Sequence, residues 1–173
     1  MTAVLRRRRL FGVAGAVFCG WLLLGAAALL TAGCGQDHRG PPQAPGDTLI
    51  EPEHVVVQHL LIGFQGSVPG REIGRSRLSA HGLAESLFEE ARAGGDFDAL
   101  VRLNTDDSYP GIYGMSNLGV PPNPAADPRE YPRSGMIPAF GNVGFRLRVG
   151  EYGLAEYDPK NSPYGWHIIK RLR

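Results

Sequence analysis

The sequence predicts an α+β fold, with helices packed around a small antiparallel sheet. Residues 54–64, HVVVQHLLIGF, are β-branched and apolar on both faces, as a central strand buried on both sides must be. Residues 76–91 instead repeat apolar side chains at helical spacing. Two strand-like runs lie near the end of the chain, after further helical stretches. The order is strand, helices, short strand, helix and two strands. It does not alternate as βαβ units do, so an antiparallel sheet is expected.

Each element has its own signal. In the first strand Val55, Val57, His59 and Leu61 share one face. A loop rich in Gly, Pro and Arg follows at 65–75. Ser76 is a suitable N-cap, and Ala80, Leu83, Ala84, Leu87, Phe88 and Ala91 form the stripe of the first helix. Gly94-Gly95 stops it. Asp96 then caps a shorter helix with Phe97, Leu100, Val101 and Leu103 on its apolar side. Residues 104–135 read as loop-rich, and a loop that long in a compact domain marks function or an insertion. Residues 136–147 are expected to form a short helix with Phe140, Val143, Phe145 and Leu147 inward. A turn at Val149-Gly150-Glu151 leads to a strand at 153–157. The last strand, 164–172, sets His167 and Ile169 on one face and Trp166 and Ile168 on the other.

The chain of 173 residues is 43% hydrophobic and 20% charged, which suits one globular domain. Its formal charge of +1 hides an asymmetry. Removing the four arginines at 6–9 from the 18 basic residues leaves 14 against 17 acids, a body of charge −3. A mildly acidic body argues against nucleic-acid binding.

Residues 10–33 carry no charge and follow Arg6-Arg7-Arg8-Arg9, the pattern of a secretion signal. The run is long, so a membrane-spanning helix is the alternative. Leu30-Thr31-Ala32-Gly33-Cys34 resembles the bacterial lipobox, with Thr31 where that pattern usually has Leu. The resemblance implies a signal peptide at 1–33 and a lipidated Cys34 anchoring the protein to a membrane. Gly35 stands where the inner-membrane retention signal has Asp, which implies the outer membrane and a periplasmic orientation. Anchoring in the inner membrane through 10–33 is the other outcome. Residues 34–53 read as a flexible Pro/Gly-rich tether, and 54–173 as the domain. Cys19 and Cys34 are the only cysteines, so the domain has no disulfide, thiol nucleophile or Cys metal site.

Familiar chemistries find no footing. There is no Gly-x-Ser-x-Gly elbow, no phosphate-binding glycine loop, and no two of the five histidines have metal-helix spacing. A His on an apolar strand face is more often a core residue than a catalyst, and Met136 and Phe140 alone read as core. Composition and spacing leave the function open.

A series of short motifs is more informative. Gln58-His59-Leu60-Leu61-Ile62, Gly95-Asp96-Phe97-Asp98-Ala99-Leu100, Asn104-Thr105-Asp106-Asp107-Ser108 and Asn117-Leu118-Gly119 come first. Met136-Ile137-Pro138-Ala139-Phe140, Val149-Gly150-Glu151 and Tyr164-Gly165-Trp166-His167-Ile168-Ile169 follow. In this order and spacing they resemble the parvulin family of peptidyl-prolyl cis-trans isomerases, across residues 54–173. The resemblance implies a four-stranded antiparallel sheet wrapped by about four helices. It implies rotation of X-Pro bonds in proline-containing unfolded or extended polypeptides, assisting the folding of secreted or envelope proteins, with no metal or cofactor. It also carries over site residues. His59 and His167 match the paired histidines, Asp107 a position held by Cys or Asp, and Ser162 a hydroxyl position near them. Leu118, Met136 and Phe140 match the pocket for the proline ring. The loop after the first strand begins Gly63-Phe64-Gln65-Gly66-Ser67, without the basic residues of phosphate-directed members, so no phosphate requirement is expected. A lipid-anchored chaperone of the same fold, holding extended chains with little turnover, is the competing expectation.

Overall fold

The computed structural model describes residues 50–173. The expected signal peptide, Cys34 and most of the tether lie outside the described residues. The elements are β1 (His54–Ile62), α1 (Arg77–Arg92), α2 (Phe97–Asn104), β2 (Ile112–Ser116), β3 (Glu130–Pro132), a 3-10 turn (Arg133–Gly135), α3 (Pro138–Arg146), β4 (Tyr152–Ala155) and β5 (Trp166–Arg171). They form one sheet in the order β3-β2-β1-β5-β4. Among the described residues no helix is long and apolar enough to cross a membrane.

The α+β class stands, but the sheet differs from the expected one. Among the described residues it has five strands rather than four, with three α-helices and a 3-10 turn rather than about four helices. It is also mixed, because β3 runs parallel to β2 while every other pair is antiparallel. β2 is the short strand expected between the helices, and β3 is the additional one; both lie within the loop-rich stretch 104–135. β3 is only Glu130-Tyr131-Pro132, with no apolar run, and it holds a proline that only an edge strand tolerates. β2 carries Gly114 at its centre, whose missing Cβ admits the backbone carbonyls of Pro128 and Arg129 at about 3 Å from where that atom would stand.

β1 is central, paired with β2 on one side and β5 on the other, and it is buried on both faces. One face carries Leu60 and Ile62, which pack with Trp166 and Ile168 against α1 and α2. Ala80, Ala84 and Ala91 on α1 are fully buried, and their small side chains let the helix lie close to the sheet. The other face carries Val55 and Val57, packed with Met115 and Ile169 against Phe140 and Phe145 of α3. The helix ends form as the sequence predicts. Ser76 Oγ accepts from Ser79 N–H at 3.1 Å and Asp96 Oδ1 from Ala99 N–H at 3.2 Å, each cap worth about 1 kcal/mol. Pro138 opens α3 at a position where a missing N–H costs nothing. Leu103 departs from the expected apolar side of α2 and is exposed.

Two glycines lie against β1 in left-handed backbone. Gly111 (φ +66°) and Gly165 (φ +139°) have no room for a Cβ, which would overlap the carbonyl oxygens of His59 and Ile62 respectively. The two loops they belong to can therefore press directly on the strand that carries His59.

Candidate active site

The site forms on the α3 side of the sheet, where β1 and β5 pair. In their register His59 lies opposite Ile169, and Leu61 lies opposite His167. The two histidines are thus diagonal neighbours on one face, and both are buried. Their Nδ1 atoms are 3.3 Å apart and their rings stack at 5.5 Å, tilted by 20°. The ring of Phe140 meets both edge-on, at 5.1 Å from His59 and 5.6 Å from His167.

Asp107 reaches this pair from the segment after α2. β2 pairs with β1 only over His54–Gln58, so other groups must satisfy the strand beyond. Leu61 N–H donates to Thr105 Oγ1 and Leu61 C=O accepts from Asp106 N–H at 2.9 Å. Gly63 N–H donates to the Asp106 carboxylate at 2.7 Å, and Arg75 donates to that carboxylate too. This clamp delivers the next residue, Asp107, to the rim of the site. Its Oδ2 accepts from His59 Nε2–H at 3.1 Å and from the Tyr113 hydroxyl at 3.2 Å.

The protonation states follow from these contacts. The hydrogen bond from His59 outweighs partial burial and, with the Ser108 N–H, holds the Asp107 carboxyl down at about 2. Burial, reinforced by the Asp107 charge, pushes the Tyr113 hydroxyl up to about 12. Burial pulls the His167 imidazole down to about 3, so it is neutral at physiological pH. An ionised Asp107 only accepts, so His59 carries its proton on Nε2. One imidazole donates to the other across the 3.3 Å between their Nδ1 atoms. His167 Nε2 is buried, and among the described residues it has no hydrogen-bond partner.

Beside this relay is a cavity of about 220 Å³, bounded by His59, His167 and Asp107. Leu61, Tyr113, Met136, Ile137 and Phe140 supply its apolar wall, and Val68, Pro69 and Tyr164 close one side. Five of the residues predicted from the sequence are therefore together: His59, Asp107, Met136, Phe140 and His167. Leu118 and Ser162 are not. Leu118 follows the end of β2 and is exposed, because Asn117 turns the chain toward Pro52 and away from the cavity. Ser162 is fully buried, but its hydroxyl donates to the Gly165 carbonyl at 2.8 Å and holds the turn before β5. Tyr113 is not among the predicted residues, because the short strand expected between the helices has no apolar run to locate it within the loop-rich stretch. Among the described residues no three His, Cys, Asp or Glu side chains converge as metal ligands.

Residues 47–172 match the family model of the PPIC-type PPIase domain. The chain belongs to that family. Its α+β fold is accordingly parvulin-like. The PPIC-type domain is also similar to the chaperone SurA of Pseudomonas fluorescens, 28% identical over 120 residues that make up 69% of this chain and 23% of that protein. The chain thus spans less than a quarter of the curated relative it matches. Two solved structures are similar at a TM-score of 0.48. Peptidyl-prolyl isomerase ESS1 from Candida albicans is 21% identical, with 70% of this chain and 63% of that one covered. TbPIN1 is 20% identical, with 70% and 98% covered.

Proposed function

We propose that this chain is a peptidyl-prolyl cis-trans isomerase that rotates X-Pro bonds without a covalent step. The observation that carries the proposal is one cavity in which an apolar wall of Leu61, Met136 and Phe140 meets the Asp107–His59–His167 relay. The chemistry needs no more than this. Rotation about a peptide bond is opposed by a barrier of about 18–20 kcal/mol that comes from amide resonance. For X-Pro the cis and trans forms differ by only about 0.5–1 kcal/mol, so a catalyst need only favour the twisted amide over both planar forms. The apolar wall takes the proline ring and removes water that stabilises the charge-separated planar amide. The Asp107 carboxylate, ionised and about one-third exposed at the rim, stands where the substrate carbonyl turns. Its negative charge disfavours the carbonyl oxyanion of the resonance form and so weakens the C–N double bond. His59 and Tyr113 hold that carboxylate in place, and His167 backs His59.

The loop after β1 brings Val68 and Pro69 to the cavity and Arg71 to its rim, where its Nη2 donates to the Asp107 carbonyl at 3.3 Å, while Arg75 is committed to Asp106 and to the Gly63 carbonyl. We place the protein in the cell envelope, tethered through lipid on Cys34. That placement is supported by the charge-free run and the small residues before Cys34. A second reading, a chaperone that holds extended chains, is favoured by the similarity to the chaperone SurA. Isomerisation of X-Pro peptides by the full chain, with Met136→Ala alongside, separates the two. A rate above background that falls in the variant supports the isomerase, whereas a folded chain with no rate leaves the chaperone.

A further inference from the structure

The most heavily bonded side chain near the cavity plays no part in the mechanism above. Arg133, in the 3-10 turn, has a nearly buried guanidinium, 9% exposed. Its Nη1 donates to Glu51 Oε2 at 2.5 Å and Asn117 Oδ1 at 2.7 Å. Its Nη2 donates to Asn142 Oδ1 at 2.9 Å and Glu51 Oε1 at 3.4 Å. The guanidinium carbon stands 4.8 Å from the centre of the Phe145 ring. One fork thus joins the segment leading into β1, the turn after β2, and α3.

The same residue sits at the root of the cavity wall. The Arg133 carbonyl accepts from Met136 N–H at 3.1 Å. Its aliphatic stem fills the space that Gly141 leaves open on α3. Met136, Ile137 and Phe140 all lie between these two points of attachment. A buried guanidinium needs a counter-charge, and Glu51 supplies it in bidentate form. Residues 51–53, read from the sequence as the end of a flexible tether, are in fact fastened. Asn117 also donates to the Pro52 carbonyl and takes the Glu53 carbonyl with its backbone N–H.

We propose that Glu51 is a positioning residue for the proline-binding wall, acting through Arg133, so that the segment entering the domain sets where Met136 stands. This rests on the isomerase reading of the cavity. The test uses the full chain with ¹³C-methyl-labelled methionine, comparing wild type, Glu51→Gln and Glu51→Asp. The Met136 resonance, assigned with a Met136→Leu variant, is the reporter, and core-buried Met115 is the control. Loss of the carboxylate in Glu51→Gln is expected to move the Met136 methyl but not Met115. It should raise KM for an X-Pro peptide on the order of tenfold, with kcat within about twofold. Glu51→Asp keeps the charge and should lie between the two. If Glu51→Gln fails to fold, the same methyl comparison in Glu51→Asp decides. Both methyls moving together, or neither moving in a folded variant, overturns the proposal. A wild-type chain without isomerisation overturns the isomerase reading alone, and the methyl shifts then decide the positioning role.

Discussion

Nδ1 of His167 and Nδ1 of His59 meet in a hydrogen bond 3.3 Å long that ties β5 to the central strand beneath Asp107. Burial keeps His167 neutral. Protonating it would place a charge in a buried site whose nearest neighbours are a second imidazole and the ring of Phe140.

The contact predicts an acid-sensitive fold. Burial lowers the His167 pKa from 6.5 to about 3, so the unfolded chain takes up this proton first. Its stabilising contribution is complete above pH 6.5 and is lost as pH falls toward 3. At full uptake the slope is about 1.4 kcal/mol per pH unit. Urea unfolding of the full chain between pH 7 and 4.5 should show the decline, and His167→Leu should flatten it.

Asp107 acts in a lower window and with its own sign. Its pKa is depressed to about 2, so the ionised form stabilises the fold above pH 4, and that contribution disappears as pH falls to 2. On activity, Asp107→Asn should lower kcat by at least about tenfold with KM little changed, as expected when a charge acts mainly on the twisted amide. Unchanged turnover in a folded Asp107→Asn would remove the electrostatic role.

Met136 and Phe140 should separate binding from folding. Phe140 is 2% exposed between the histidines and the core, so Phe140→Ala should cost about 3–5 kcal/mol of stability. Met136 is only partly buried at the cavity wall, so Met136→Ala should mainly raise KM. Thermal unfolding beside peptide kinetics tests the pair, and a large loss of stability in Met136→Ala would place it in the core instead.

Gly165 should be close to irreplaceable. A side chain there needs left-handed backbone and also overlaps the Ile62 carbonyl, so Gly165→Ala should cost more than about 2 kcal/mol. Gly66 is also left-handed (φ +77°) but has open space around it, and Gly66→Ala should cost only about 1 kcal/mol. Equal denaturation midpoints for the two variants would contradict the packing argument.

Much of this was legible from residue order. The central strand and the face of its own strand that each histidine occupies follow from apolar spacing, since burial on a sheet leaves a period of two; Ser76 and Asp96 mark the helix caps, and the pairing of His59 with His167 is what the family motifs imply. The family motifs then pointed to Asp107, Met136 and Phe140. The hidden parts depend on partners distant in sequence. β3 has no apolar pattern because it lies at an edge and gains order only by pairing with β2. Tyr113 was concealed by Gly111 and Gly114 on either side, which read as turn. Leu118 and Ser162 hold matching positions in the motif series, yet the turn at Asn117 and the Ser162–Gly165 hydrogen bond direct them elsewhere. Glu51 looks like tether until its partner Arg133, 82 positions along, is in view.

The strand order has a consequence for biosynthesis. Among the described residues β1 is the first strand made, yet one of its two neighbours is β5, with Ile62 paired to Trp166 and Val57 to Arg171. Local folding cannot complete the histidine pair, because the second imidazole is synthesised more than a hundred residues after the first. A ribosome-bound fragment ending before β5 exposes one edge of its central strand and has half a relay. The domain therefore commits to its fold only after residue 171 has emerged, which leaves a long interval in which the nascent polypeptide remains threadable.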